Sequence, residues 1–329
     1  MGNDKEVFDN KMQEDDEENE MPTESILLPS ESKFGHIKNK IVRAQRAAKY
    51  NKEKRKQKKE IRAERERTGA PKGVSHTIES LREKDETTVG DIDDDENAEL
   101  QLELENDEFS DYYQKTYAPK VLITYSDNPL KKTRIFGREL TRIFPNSIAR
   151  YRNRSGVKKI VKSAISQNYT DVVIINENRK EPEGLLIIHL PNGPTAHFKL
   201  SNVKITTELK KSHKQISQHR PEVILNNFTT RLGLTVGRML GSLFHYEPEF
   251  KGRRAVTFHN QRDYIFFRHH RYEFSNDGKR AKLKELGPRF TLKLRSIQQG
   301  TFDSKFGDFE WIITGKRHQM ETSRRKFFL

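Results

Sequence analysis

The chain contains no cysteine in 329 residues. Disulfides, thiol nucleophiles and cysteine-ligated zinc are therefore excluded together. Hydrophobic residues are scarce, at 33%, and only equal the charged fraction. That balance is too lean for a core along the whole length, so part of the chain is expected to stay unfolded. No apolar run is long enough to span a bilayer. The N-terminus is acidic, unlike a secretory signal. These absences together lead us to expect a soluble intracellular protein. Catalytic signatures are missing as well. There is no GxxxxGK, no GxGxxG after a strand, no GxSxG elbow and no HExxH. His259, His269 and His270 come nearest to a metal cluster, but no cysteine or suitably spaced carboxylate joins them. The expectation is no cofactor, no metal, no small-molecule substrate and no enzyme.

What is present is charge, unevenly spread. Residues 1–108 hold 20 Lys/Arg and 29 Asp/Glu, a net of −9, which leaves +23 of the total +14 on residues 109–329. The core-forming part is thus the basic part. A folded domain with that excess meets a polyanion, and counterion release then supplies much of the affinity. A membrane surface would call for a basic amphipathic helix with a broad apolar face, and none is found.

Five segments follow from composition. Residues 1–37 form an acidic disordered segment, with one apolar knot at Ile26–Pro29. Residues 38–67 form a basic helical arm without an apolar stripe. Within it Lys52, Lys54, Arg55, Lys56, Lys58 and Lys59 match a nuclear import signal. Residues 68–117 form an acidic linker, densest in acid over 83–108. Residues 118–313 form an α/β domain, and 314–329 a basic tail. In the domain, Pro119–Tyr125 reads as a buried strand, followed by helices at Lys132–Phe144 and Val157–Gln167. Strands follow at Asp171–Asn176 and Leu185–Leu190. Later come a strand at Pro221–Asn226, a helix at Leu234–Phe244 and strands at Val256–His259, Tyr264–Phe274 and Phe290–Ile297. Gly233, Gly237 and Gly241 mark one face of the later helix and predict tight packing of helix on sheet.

One phrase occurs twice. Gly193–Leu200 and Gly287–Leu294 both read GPxxxxKL, 94 residues apart. Gly-Pro makes a turn, and a strand re-entering a sheet follows. The flanking plans agree, which predicts two half-domains, 118–205 and 221–298.

Arginine and lysine on this frame are the candidate RNA contacts, because guanidinium grips phosphate bidentately and rings stack on unpaired bases. The candidates are Lys158, Lys159 and Lys162 on the second helix and Arg253, Arg254, Arg262, Arg268 and Arg271 on the later strands. Arg289, Lys293 and Arg295 follow the second Gly-Pro phrase. Lys316, Arg317, Arg324, Arg325 and Lys326 lie in the tail. The interleaved rings Phe258, Tyr264, Phe266, Phe267, Tyr272 and Phe274 are expected mostly in the core.

The stretches Pro119–Ser126, Phe144–Ser147, Tyr169–Ile175, Leu190–Ala196, Pro221–Phe228, Arg254–Arg268 and Glu285–Phe290, in this order, resemble the Brix family of ribosome-assembly factors. The arm, the linker and the ending Thr322–Phe327 look most like a large-subunit member. The resemblance implies an α/β fold of two halves, each like the anticodon-binding domain of class II aminoacyl-tRNA synthetases. It implies a non-catalytic factor in the nucleus and nucleolus. Its partners would be large-subunit precursor rRNA, ribosomal proteins of the precursor and other assembly factors, including a dedicated protein partner. A factor of the small-subunit precursor, an RNA-processing enzyme and a protein scaffold remain the alternatives.

Overall fold

The computed structural model describes residues 34, 36–69, 77, 80–83, 87–89, 98–209, 216–275, 280–313 and 327–329. It divides into two compact units, 1–75 and 76–329.

The first unit holds helix α1, Lys40–Thr68. Asn39 caps it: the side chain accepts from the amides of Ile41, at 2.9 Å, and Val42. Gly69 ends it in a left-handed turn, as glycine does at helix C-termini. Ile41 and Ile61 stand 70% and 50% exposed, so the helix has no apolar seam of its own.

The second unit is one mixed sheet with helices. In order come α2 Ala98–Glu105, α3 Ser110–Tyr113, β1 Val121–Tyr125, α4 Lys131–Thr141, β2 Ser147–Ala149 and α5 Val157–Ser166. Then come β3 Asp171–Asn178, β4 Glu181–His189, β5 Thr195–Lys204, β6 Glu222–Asn226 and α6 Arg231–Ser242. Last are β7 Arg254–Gln261, β8 Tyr264–Phe274, β9 Ala281–Glu285, β10 Arg289–Gln298 and β11 Phe309–Ile312. The strand order is β2-β1-β3-β4-β5-β10-β8-β7-β6, with β9 on β8 and β11 on β10.

The middle of the sheet is the antiparallel pair β5–β10, the two strands that follow the Gly-Pro phrases. Lys199 lies opposite Lys293 there, so equivalent letters of the two phrases face each other. Going outward, both sides show two antiparallel pairings and then a parallel one: β5–β4–β3–β1 and β10–β8–β7–β6. A helix follows β1 and another follows β6. Only the first side adds β2 and α5. Gly193 and Gly287 have φ of +100° and +76°, where a side chain is strained. A Cβ would lie 2.3 Å from the Gly300 backbone in the first case and 2.6 Å from Leu209 Cδ1 in the second.

One face of the sheet is closed by α4 and α6. Phe136 and Leu140 of α4 and Val236, Met239 and Leu240 of α6 are buried with Phe198, Phe258, Phe267, Leu292 and Leu294. Phe267 stacks on Phe290 at 4.2 Å. Among the described residues, the opposite face is closed at one end only, where Val161 and Ala164 of α5 meet Leu122, Val172, Ile174, Leu186 and Ile188.

Three expectations need correction. The acidic linker was expected to run to 117, yet α2 and α3 fall inside it. Leu100, Phe109 and Tyr112 are buried, and the Tyr112 hydroxyl donates to Gly241 O and Phe244 O at 3.1 and 2.9 Å. Arg238 binds both carboxylate oxygens of Asp107. A few apolar side chains among many acids suffice to dock the strap.

The glycine stripe on α6 does not face the sheet alone. Gly233 makes room for Leu329, and Gly241 for the Tyr113 hydroxyl.

The end of the tail, Phe327–Leu329, is the third correction. Leu329 is 1% exposed within the core. The amides of Phe328 and Leu329 donate to Asp263 Oδ1 at 2.8 and 3.0 Å. Thr230 and Asn260 donate to the Phe328 and Leu329 carbonyls. An apolar residue with satisfied backbone groups has every reason to stay inside.

Candidate nucleic-acid interface

Strands alternate their side chains between faces. On β10, Phe290, Leu292 and Leu294 enter the closed core, while Lys293 and Arg295 stand on the other face, half-buried. On β5, Phe198 and Leu200 go in, and His197 and Lys199 come out. On β8, Ile265, Phe267 and His269 go in, and Tyr264, Phe266, Arg268 and His270 come out. Register lines these up. Lys199, Lys293, Tyr264 and Gln261 form one transverse row, and Ser201, Thr291, Phe266 and His259 form the next.

The face is basic and aromatic, with its charges partly engaged. Lys293 Nζ sits 4.8 Å from the Tyr264 ring centre, a cation–π contact. Lys199 lies 3.8 Å from Glu183. Arg289 is held by Glu285 through two contacts, one of 2.8 Å. Arg268 donates to Phe267 O, and burial pushes its pKa below the usual arginine value, with Arg289 adding to the effect. The helix α5 stands on this same face at the other end of the sheet. Lys158, Lys159 and Lys162 are exposed there, Lys158 in a 3.0 Å ion pair with Asp303.

The remaining predicted residues scatter. Arg253 is exposed just before β7, and Arg262 sits exposed at the β7–β8 turn. Arg271 shares its alternation with Phe267 and His269, so it leaves the open face; it lies 3.9 Å from Glu273. Arg254 is 2% exposed and is no surface contact. Its guanidinium donates to Ser217 O, His219 O, Arg142 O and His269 Nε2, at 2.6, 2.7, 2.9 and 3.2 Å. Burial lowers its pKa to about 10. His269 completes the network at 2.8 Å from Gly287 O. With its other ring nitrogen accepting from Arg254, Nδ1 is the donor and the imidazole is neutral. Burial, and after it Arg254, lowers the pKa of His269 to about 3.

Of the rings expected in the core, Phe258 and Phe267 are there. Tyr264 and Phe274 are 41% and 64% exposed, because the later strands are buried on one side only. Lys316, Arg317, Arg324, Arg325 and Lys326 lie outside the described residues. Lys52, Lys54, Arg55, Lys56, Lys58 and Lys59 are exposed along α1. Sequence reading missed Lys199 and His197 as open-face members beside the later-half cations. It also passed over Arg150, Arg152 and Arg154, although their alternation after β2 was visible.

A row of cations and rings on an exposed sheet face is chemistry for phosphates and stacked bases. Comparison with known proteins bears on the same residues. The Brix domain model matches residues 126–296. The probable ribosome production factor 1 of Drosophila melanogaster is 65% identical over 302 residues, covering 92% of this chain and 76% of that protein. Ribosome production factor 1 of Xenopus laevis is 54% identical over 259 residues, covering 79% and 74%. The crystal structure of a probable ribosomal biogenesis protein from Aeropyrum pernix K1 aligns with a TM-score of 0.39 at 12% identity, over 60% of this chain and 99% of that one. On the matched domain and the extent of these identities, the chain belongs to the Brix domain family.

Proposed function

We propose that the chain is a non-catalytic RNA-binding factor in the assembly of the large ribosomal subunit, acting on precursor rRNA in the nucleolus. The observation that carries this is the row Lys199–Lys293–Tyr264, on the part of the open sheet face that α5 leaves uncovered among the described residues. The names of the relatives, ribosome production factor 1, support the process. The two halves, 118–205 and 221–298, meet at this row, so one RNA segment laid across it touches both. The exposed cations of α1 serve as an arm along rRNA and as an import signal. Other assembly factors, a dedicated protein partner among them, and ribosomal proteins share the particle.

The test combines affinity and identity. Binding of the full chain to precursor rRNA is expected to weaken with salt, at a log–log slope of about −0.7 to −0.9 per phosphate neutralised. Affinity purification with rRNA sequencing should enrich large-subunit precursor sequences. Enrichment of small-subunit precursor instead moves the factor to the other particle. Cleavage or modification of the RNA by the purified chain overturns the non-catalytic reading.

A further inference from the structure

A crevice lies at the carboxyl ends of β1 and β2, away from the central row. These neighbours are parallel. The chain leaves β1 through α4, which packs in the closed core, and leaves β2 through α5, which packs on the opposite face. Adjacent parallel strands whose connections depart to opposite faces open a crevice there, the place where open α/β sheets take ligands. In this protein it is a cavity of about 610 Å³ between Ser126–Pro129, after β1, and Tyr151–Arg154, after β2. That lies within the roughly 300–1,000 Å³ of small-ligand sites. A second hollow, of about 280 Å³, runs between α5 and the β1–β2 edge and shares Tyr151, Arg152 and Asn153.

The lining has a direction of charge. Arg134, Arg152 and Arg154 border the larger cavity and Arg150 and Lys159 the smaller, against Asp127 as the one lining acid. Among the described residues none of the four arginines pairs with a carboxylate. Arg152 is held in place, donating from Nε to Ser155 O at 2.5 Å. Tyr151 is common to both hollows, its side chain 54% exposed. Its ring leans on buried Tyr125 at 5.7 Å and 32°, so it is braced from behind. A braced, exposed ring between unpaired guanidiniums matches a planar base joined to phosphates. The volume of this half-open cavity suits a single nucleotide rather than a duplex.

We propose that this crevice takes one unpaired nucleotide of bound RNA, with the base on Tyr151 and the flanking phosphates on Arg150, Arg152, Arg154 and Arg134. This rests on the reading of the chain as an RNA-binding factor. The test uses the full chain and a short single-stranded RNA, followed by ultraviolet crosslinking and by binding titration. The crosslinked peptide is expected to contain Tyr151. Tyr151→Ala should weaken binding about tenfold, in the range of one lost base stack. Tyr151→Phe should bind as the parent does. Arg152→Gln with Arg154→Gln should flatten the salt slope by about 2, one per phosphate.

If Tyr151→Ala and the arginine pair bind as the parent does, while Lys199→Gln with Lys293→Gln still weakens binding, the crevice assignment is wrong and the RNA reading stands. If the parent chain binds no RNA, both are wrong. Free adenosine monophosphate binding as tightly as the RNA would make this a mononucleotide site and overturn the assignment to an RNA chain.

Discussion

The two faces of β7 and β8 use the same residue types for opposite ends. On the closed face, Arg254 and His269 are buried and hydrogen-bonded to one another, to three carbonyls and to Gly287. On the open face, Arg268 and His270 stand half-buried beside Tyr264 and Phe266. Net charge counts the two arginines alike and the two histidines alike. What separates them is alternation along the strand, which decides whether a side chain faces solvent or fixed backbone oxygens.

The sharpest way to break this contrast is Arg254→Met. It leaves three partly buried carbonyls and a buried imidazole nitrogen without that donor. At about 1–3 kcal/mol for each group left unsatisfied, partly relieved by relaxation, we expect a loss of about 3 kcal/mol or more in urea unfolding. A variant that keeps its stability but loses RNA affinity would place Arg254 on the binding face after all. Gly193→Ala is next, at about 2 kcal/mol, from a strained φ and a collision with the Gly300 backbone. An unchanged unfolding midpoint would show that the turn gives way freely.

The third test is pH. His269 has a folded pKa of about 3 against an ordinary 6.5. Between those values the unfolded chain binds the extra proton. Stability is therefore lost as pH falls from 6.5 toward 3, by at most about 1.4 kcal/mol per pH unit for one group. His197, His245 and His270 are lowered too, mainly by burial, and act in the same direction. Buried Asp263 is raised and acts oppositely. The difference between the parent and His269→Gln isolates the one histidine, and the variant should show the flatter slope. Equal slopes would mean that His269 carries its proton in the fold.

The smallest effect on folding should come from Lys199→Gln with Lys293→Gln, within about 0.5 kcal/mol of the parent, since both are surface positions. The same variant should bind RNA about fivefold more weakly and with a shallower salt slope. Loss of folding with it would make the central row structural.

Much of the sheet was legible because its strands are apolar runs between turn residues. Asp171–Asn178, for example, carries Val172–Ile175, buried on both sides. The expectation that the interleaved rings lie mostly in the core overlooks the alternation that β8 shows openly: Ile265, Phe267 and His269 against Tyr264, Phe266 and Arg268. Arg254 likewise shares its parity with Val256 and Phe258, and only the weight given to charge hid this. The docking of Leu100, Phe109 and Leu329 was beyond local reading. Phe109 meets His189, and the Phe328–Leu329 backbone meets Asp263, Thr230 and Asn260, all distant in sequence, and long-range contacts leave no periodic trace. The crevice arginines were visible as letters, but only the departure of α4 and α5 to opposite faces shows where they converge.

The burial of Leu329 fixes the chain just beyond the predicted tail cations. The chain is held at β11, whose strand ends at Ile312, and again at Phe327–Leu329. Whatever path residues 314–326 take, both ends return to the same folded unit. Closing such a loop costs only about (3/2)RT ln n in its length n, and folding has already met that cost. If Lys316, Arg317, Arg324, Arg325 and Lys326 contact RNA as proposed, the two fixed ends would hold them at a local concentration on the order of millimolar to any phosphate resting on the domain.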